Sequence, residues 1–284
     1  MVSKEQRRKQ LARAKWERQQ ERRLDRARRS RRRRIALAVL LVLLVAGGST
    51  ALVLLNDDDG TNQAADGAGN EPTEQASEPP EDPCAEPEPG DPSTAQWDEE
   101  PEMTVDTDTD YVLRLATTCG DIEITMDTAA TPHTVNSFAF LAGEGFFDHS
   151  RCHRLVTSGI HVLQCGDPQG TGAGGPGYTI PDENLDAPEI ADGVYPAGTV
   201  AMANKYNAAD GSGRDSGSSQ FFIVYQDSQL PPDYTPFGTV TAGMDVVRTI
   251  ADAGAAPADP VTGNTAPNAT VVINEATVEP AGRD

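Results

Sequence analysis

The sequence lacks the residue patterns on which several common classes of enzyme depend. No Gly-x-Ser-x-Gly elbow of a serine hydrolase occurs. The glycine-rich stretch 170–177 is not followed by the Lys-Ser/Thr pair of a phosphate-binding loop. Only four histidines and four cysteines are present, and their spacing fits no common zinc pattern. We therefore predict neither a bound metal nor another cofactor.

Basic residues are scarce beyond position 34. Residues 1–34 hold 16 of the 23 Lys and Arg residues and 4 of the 44 Asp and Glu residues, a net charge of +12 that leaves −33 for the rest. The basic block has neither the interleaved aromatic residues nor the folded basic face of a nucleic-acid binder. We interpret 1–34 as a solvated basic cytoplasmic tail and expect no nucleic-acid partner.

Long apolar runs are also absent, with one exception at residues 35–55. These 21 residues are uncharged and mostly apolar, and as a helix they would span about 30 Å, the thickness of a bilayer core. The positive-inside rule places the preceding basic block in the cytoplasm and the acidic remainder outside. We predict a single-pass signal anchor in the cell membrane with an extracytoplasmic catalytic domain. A cleaved signal peptide is the alternative, for which Gly47-Gly48-Ser49 is a weak cleavage site.

Large apolar residues are nearly missing from residues 56–103, which are rich in Asp, Glu, Pro, Gly, Ala and Thr. Such a segment cannot offset its ordering entropy, so we predict a disordered acidic linker. Cys84 and Trp97 are exceptions and suggest that its last part docks on the following domain. All four cysteines lie on the predicted outer side, where disulfides persist, and four cysteines allow three pairings.

Residues 104–284 show the patterns of one mainly β domain with two helices. Two runs, 111–117 and 122–126, flank a turn and predict a β-hairpin. Thr131 and Pro132 predict the start of a helix that ends at Gly143 or Gly145, and 244–250 predict a second, shorter helix. Short strands are predicted at 154–156, 162–165, 199–203, 221–225, 236–240 and 270–274. About 180 residues suffice for a single core.

Several ordered motifs in this domain carry a resemblance to a known family. They are Cys119-Gly120-Asp121, Thr134-Val135-Asn136-Ser137-Phe138, Cys152-His153-Arg154, Gln164-Cys165-Gly166-Asp167, Met202-Ala203-Asn204, Gly217-Ser218-Ser219-Gln220-Phe221-Phe222 and Pro236-Phe237-Gly238. In this order they resemble the cyclophilins. The resemblance implies a closed eight-stranded antiparallel barrel capped by two α-helices.

The resemblance also implies peptidyl-prolyl cis/trans isomerase activity and a set of site residues. The catalytic candidates are Arg154, Gln164 and Phe222. Substrate-binding candidates are His161, Val162, Ala203, Asn204, Gln220, Leu230, Tyr234 and Phe237. The sequence departs from the family where His161 replaces a usual Phe and Gln229 a usual Trp. In the family's fold the strands around Arg154 and Gln164 pair, which implies disulfides Cys152–Cys165 and Cys84–Cys119.

The sequence leaves three hypotheses for the function of the protein. The first is isomerisation of Xaa-Pro bonds in secreted or envelope proteins, with proline-containing polypeptides as clients, residues 35–55 in the membrane and a monomeric catalytic domain. The second is a catalytically weak, membrane-tethered module that binds proline peptides, which the departures at His161 and Gln229 keep open. The third is a structural envelope protein, which rests only on the acidic run and leaves the site residues unexplained.

Overall fold

The computed structural model of the protein describes residues 82–282. The predicted basic tail, the predicted membrane span at 35–55 and the first part of the predicted linker lie outside these residues. Neither helix within 82–282 is long and apolar enough to cross a bilayer.

The described residues form eleven strands and two α-helices. The strands are β1 Tyr111–Thr117, β2 Gly120–Met126, β3 Ser150–Arg151, β4 Arg154–Val156, β5 Val162–Cys165, β6 Val194–Tyr195, β7 Thr199–Met202, β8 Phe221–Val224, β9 Ser228–Gln229, β10 Pro236–Ala242 and β11 Val272–Pro280. The helices are α1 Pro132–Gly143 and α2 Met244–Asp252, and a 3₁₀ turn spans Pro188–Ile190. The predicted mainly β domain with two helices is confirmed.

Nine strands form one antiparallel sheet in the order β3-β11-β1-β2-β10-β7-β8-β5-β4, and β6 pairs with β9 separately. The closed eight-stranded barrel is therefore wrong: the sheet is curled but open, with β3 and β4 at its edges. These strands are consecutive in the chain and are separated only by Cys152 and His153. The backbone N–H of Cys152 donates to Val271 O at 3.0 Å, whereas that of His153 donates to Gln164 O at 3.1 Å. The two edges of the sheet are therefore linked by the covalent chain at Cys152 and His153. A closed barrel would instead need a ladder of hydrogen bonds between β3 and β4.

The predicted hairpin is β1 and β2, paired from Tyr111 opposite Met126 to Thr117 opposite Gly120. Its alternating apolar side chains are buried, because successive residues of a strand face opposite sides of the sheet. The fully buried members are Leu113, Leu115, Ile122, Ile124 and Met126. The hairpin therefore contributes one wall of the main core.

Helix α1 begins at Pro132, as predicted, but Thr131 does not cap it through its side chain. The Thr131 hydroxyl donates instead to Asp127 O at 2.6 Å. The carboxylate of Glu183 accepts the free N–H groups of His133, at 3.1 Å, and Thr134, at 2.9 Å. A remote acidic side chain thus satisfies the first turn, where unpaired N–H groups favour a negative charge.

Residues 82–104, here called the N-terminal strap, have no regular secondary structure but are fixed to the domain. The strap is joined by the Cys84–Cys119 disulfide, and the backbone N–H of Trp97 donates to Pro176 O at 2.8 Å. The Asn136 side chain donates to Glu102 O at 3.0 Å and accepts from Thr104 N at 2.8 Å. The prediction of a disordered linker is thus corrected for residues 82–103, and the docking suggested by Cys84 and Trp97 is present.

The indole of Trp97 lies against two phenylalanines, with ring centroids 5.1 Å from Phe140 and 5.9 Å from Phe146. We expect Trp97→Ala to lower the free energy of unfolding by about 2 kcal/mol, less than a fully buried aromatic residue would give because Trp97 is half-buried. Urea unfolding followed by circular dichroism measures this change. Val261→Ala is the control, since Val261 is 90% exposed and should change stability by less than about 0.5 kcal/mol. Equal stability of both variants would contradict the packing role.

Candidate active site

Three neighbouring strands bring the predicted catalytic residues into one row. Arg154 on β4 pairs with Gln164 on β5, and Gln164 pairs with Phe222 on β8. Directly paired residues of adjacent strands present their side chains on the same face of the sheet. The three side chains are therefore neighbours, although 68 positions separate Arg154 from Phe222 in the chain.

A cavity of about 180 Å³ opens over this row. It is lined by Arg154, Ile160, Val162, Gln164, Ala203, Asn204, Phe222, Leu230 and Tyr234. Its floor is the ring of Phe222, which is 6% exposed and meets Tyr234 edge-on at a centroid distance of 5.5 Å. A small buried cluster that includes Val162, Tyr195 and Val224 packs around this floor. The cavity thus combines an apolar base with one cation and two amides.

A chain of side-chain hydrogen bonds orients the polar wall. Arg154 Nη1 donates to Gln164 Oε1 at 3.1 Å, and Gln164 Nε2 donates to Gln220 Oε1 at 2.9 Å. Gln220 Nε2 donates in turn to the backbone carbonyl of Gly174 at 2.9 Å. A carbonyl can only accept, so this last bond fixes the direction of both amides. As a result, an amide oxygen faces the guanidinium.

The guanidinium of Arg154 is half-buried at the cavity. Burial lowers its pKa, and the neighbouring Tyr234 opposes that shift. An arginine side chain is not deprotonated in proteins, so the group stays a cation. The structure therefore holds a fixed positive charge beside an apolar floor.

The carbonyl of Gly174 is held in place by a buried carboxylate outside the cavity. Asp167 is fully buried and accepts the backbone N–H groups of Gln169, Thr171, Gly172 and Gly174 at 2.7 to 3.1 Å. Burial would raise the pKa of Asp167, but these hydrogen bonds together lower it. The glycine-rich stretch thus wraps a carboxylate of the protein itself. Sequence reasoning missed this role of Asp167, although the residue belongs to a quoted motif.

Asn204 also lines the cavity. Its Nδ2 donates to Asp233 O at 2.7 Å, and its Oδ1 accepts from the backbone N–H of Tyr206 at 3.1 Å. The side-chain amide is thereby occupied at both ends. Among the described residues no partner is found for the backbone N–H and C=O of Asn204, so these groups remain able to bind a peptide.

Three predicted residues lie elsewhere than in the cavity. His161 packs edge-on against Tyr225 at 5.7 Å, and Phe237 is fully buried 4.8 Å from Phe138 in the main core. Gln220 lies one step behind the cavity and acts on it through Gln164. Alternation explains His161, because Val162 and Gln164 face the cavity and their odd-numbered neighbours face away. The same alternation places Ile160 on the cavity side, and sequence reasoning missed that residue.

Both disulfides implied by the resemblance are present. Cys152 bonds to Cys165, and Cys84 to Cys119. Cys165 directly follows Gln164, so the first disulfide crosslinks β5 to the residue that precedes His153 and Arg154. The two strands that carry the polar wall are therefore covalently joined beside it.

His153 lies between this disulfide and Arg154. It is 5% exposed, and neither ring nitrogen has a hydrogen-bond partner within residues 82–282. Burial lowers the pKa of His153 from its ordinary 6.5, the charge of Asp167 opposes the shift, and Arg154 adds to it. The folded state thus binds the proton less readily than the unfolded chain. The resulting contribution to the free energy of unfolding is complete above pH 6.5. It is lost as the pH falls from 6.5 toward the lower pKa of His153 in the folded state.

We expect His153→Phe to remove this pH-dependent loss, because a phenyl ring cannot be protonated and no hydrogen bond to the imidazole is broken. Between about pH 7.5 and about pH 5.5, the wild type should lose about 1 kcal/mol more unfolding free energy than the variant. Urea unfolding at the two pH values measures the difference. The other three histidines are common to both proteins and cancel in the comparison. Parallel losses in both proteins would contradict the assignment to His153.

Comparison with known proteins links this geometry to one family. The model of the family described as cyclophilin type peptidyl-prolyl cis-trans isomerase/CLD matches residues 112–278, more than half of the chain. The chain is 39% identical over 132 residues to peptidyl-prolyl cis-trans isomerase B of Bacillus subtilis, covering 46% of this chain and 83% of that protein. The region matched by the family model includes the strands that carry Arg154, Gln164 and Phe222.

A second relative is longer than the region it shares with this chain. The probable peptidyl-prolyl cis-trans isomerase B of Mycobacterium leprae is 46% identical over 170 residues, 57% of this chain and 54% of that protein. The chain thus spans about half the length of this relative. A crystal structure of a Cryptosporidium parvum cyclophilin type peptidyl-prolyl cis-trans isomerase is similar with a TM-score of 0.48 and 26% identity, over 62% of this chain and 99% of that chain.

Proposed function

Because the chain belongs to the cyclophilin-type peptidyl-prolyl cis-trans isomerase family, we propose that it catalyses the cis/trans isomerisation of Xaa-Pro bonds. One observation carries the proposal: the guanidinium of Arg154 is held beside the apolar floor of Phe222 in a cavity of about 180 Å³. A proline ring suits the apolar floor, and a peptide amide suits the polar wall.

The reaction needs neither a nucleophile nor a cofactor, since no covalent bond forms or breaks. The barrier of about 20 kcal/mol comes from the loss of amide resonance as the bond twists. In the twisted state the proline nitrogen becomes pyramidal and gains a lone pair. An enzyme accelerates the step by binding this state more tightly than either planar form. Arg154 would donate to the lone pair and thereby stabilise the twisted amide.

The remaining lining residues hold the client. The proline ring would rest on Phe222, between the side chains of Val162 and Leu230. The free backbone groups of Asn204 would bind the client backbone. We expect proline-containing polypeptides as clients and a monomeric catalytic domain.

We expect Arg154→Ala to reduce kcat/KM for a short Xaa-Pro peptide about 100-fold, comparable to the loss of one preorganised donor in other active sites. Arg154→Lys should recover little of this loss, because an ammonium cannot reproduce the planar donor geometry of a guanidinium. The isomerisation rate of the peptide in the presence of the purified protein measures both. Arg248→Ala is the matched control, since Arg248 is an exposed arginine of α2 outside the cavity lining.

Two outcomes would count against the proposal. An unchanged rate in Arg154→Ala would remove Arg154 from the mechanism. No acceleration by folded wild-type protein would favour a module that binds proline peptides without useful turnover. The latter alternative is supported by Gln229, whose Nε2 donates to Gly193 O at 2.8 Å and which adds no aromatic surface to the cavity.

We further propose that the domain works outside the cytoplasm on secreted or envelope proteins. The 35–55 segment is long and apolar enough for a membrane anchor, and the basic residues before it favour a cytoplasmic N-terminus. Two disulfides suit an oxidising compartment. These three features support the same orientation.

Membrane fractionation tests the anchor. The full chain should sediment with membranes, and protease added to intact spheroplasts should remove the domain while it spares a tag at the N-terminus. Leu41→Arg with Leu44→Arg should move the protein out of the membrane fraction, since each charge at the centre of a span costs about 3 kcal/mol. Leu41→Ala with Leu44→Ala is the control. A released domain that begins near residue 50 would show a cleaved signal instead.

A further inference from the structure

We propose that Arg214 is a positioning residue that fixes Asn204 at the cavity through a closed ring of contacts. The proposal rests on the function above in one respect, namely that Asn204 binds the client backbone. Arg214 itself does not line the cavity. It lies on the loop 205–216, here called the rim loop, which follows Asn204 directly in the chain.

The rim loop folds back on itself. The backbone N–H of Asn207 donates to Ser212 O, and that of Lys205 donates to Ser216 Oγ, both at 2.8 Å. Gly213 has φ of +81°, and a Cβ there would lie 2.2 Å from the carbonyl oxygen of Lys205. Only glycine permits this close approach of the two arms. The second arm consequently returns Arg214 to the start of the loop, beside Asn204.

Four residues then form the ring. The guanidinium of Arg214 lies over the ring of Tyr206, 3.5 Å from its centroid, and pairs with the carboxylate of Asp233. The backbone carbonyl of Asp233 accepts from Asn204 Nδ2, and Asn204 Oδ1 accepts from the N–H of Tyr206. Both residues that hold the Asn204 amide are therefore held by Arg214.

The contacts made by residue 214 require the planar guanidinium of an arginine. Its planar group stacks on Tyr206 while its edges reach Asp233 and also Asp182, whose Oδ2 lies 3.4 Å from Nη1. A lysine ammonium lacks the planar fork that makes these three contacts together. The side chains of Asp182 and Asp233 are only 8% and 17% exposed. Without Arg214, both poorly solvated carboxylates would lose the cation that pairs with them.

The ring acts on binding more than on the chemical step. Among residues 82–282 no side-chain hydrogen bond joins the ring to Arg154, to its partner Gln164 or to Gln220, although Asn204 and the two glutamines line a second, smaller cavity together. Asn204 would bind the client backbone equally in the planar and twisted states, and the loss of such uniform binding raises KM with kcat unchanged. This division distinguishes Arg214 from Arg154.

The test compares Arg214→Gln with the matched control Arg248→Gln in the full chain, purified in detergent. We expect Arg214→Gln to raise the KM for an Xaa-Pro peptide about 5-fold or more with kcat changed less than about 2-fold. Arg214→Lys should recover part of the affinity. Asp233→Asn keeps the backbone carbonyl used by Asn204 but removes the ion pair, so its effect should not add to that of Arg214→Gln. Arg248→Gln should resemble the wild type.

Hydrogen exchange gives a readout that does not depend on activity. The backbone N–H of Tyr206 donates to Asn204 Oδ1, so its exchange rate reports on the ring itself. Exchange should accelerate about 10-fold at Tyr206 in Arg214→Gln and remain unchanged in Arg248→Gln. Unchanged exchange and KM in Arg214→Gln would overturn the proposal. If Arg214→Gln fails to fold, Asp233→Asn provides the same comparison. If the wild type shows no isomerisation, the proposed function fails while the exchange measurement still tests the ring.

Discussion

The buried carboxylate of Asp167 is the constraint on which the cavity depends. A fully buried charge is costly unless hydrogen bonds replace its water, and here the backbone of the glycine-rich loop supplies them. These hydrogen bonds hold the loop in an arrangement that aims the carbonyl of Gly174 at Gln220. The hydrogen bonds from Gly174 through the amides of Gln220 and Gln164 then all have the same donor–acceptor direction, and the chain ends at Arg154. The position of the cation is set by an anion that never reaches the cavity.

The two walls of the cavity are fixed in different ways. The wall of Arg154 is built on three strands in register, is crosslinked by Cys152–Cys165 and is braced by the glycine-rich loop through Gly174. The wall of Asn204 depends on a loop and on contacts to Asp233. This division matches the demands of the proposed reaction. Stabilising a twisted amide needs a donor placed in advance, whereas holding an extended peptide needs a wall that admits different clients.

Local sequence patterns predicted the secondary-structure elements that depend mainly on neighbouring residues. The hairpin and both helices followed from alternation and helix signals, whereas the row of Arg154, Gln164 and Phe222 was implied by the family resemblance that the ordered motifs carry. Strict alternation of side chains along β5 would also have predicted Ile160, rather than His161, as a cavity residue. The open sheet, the cap of α1 by Glu183 and the ring around Arg214 could not be predicted in this way. Each depends on residues that are distant in sequence, and no periodicity encodes such contacts.

The strap shows why composition misjudged one segment. Acidic, proline-rich residues cannot build a core of their own, which is all that composition measures. Residues 82–103 are instead ordered by groups of the domain, through Cys119, Asn136 and the aromatic pair around Trp97. The consequence reaches the proposed anchoring. Only 56–81 would then separate domain and membrane, and at about 3.5 Å per residue they reach at most about 90 Å.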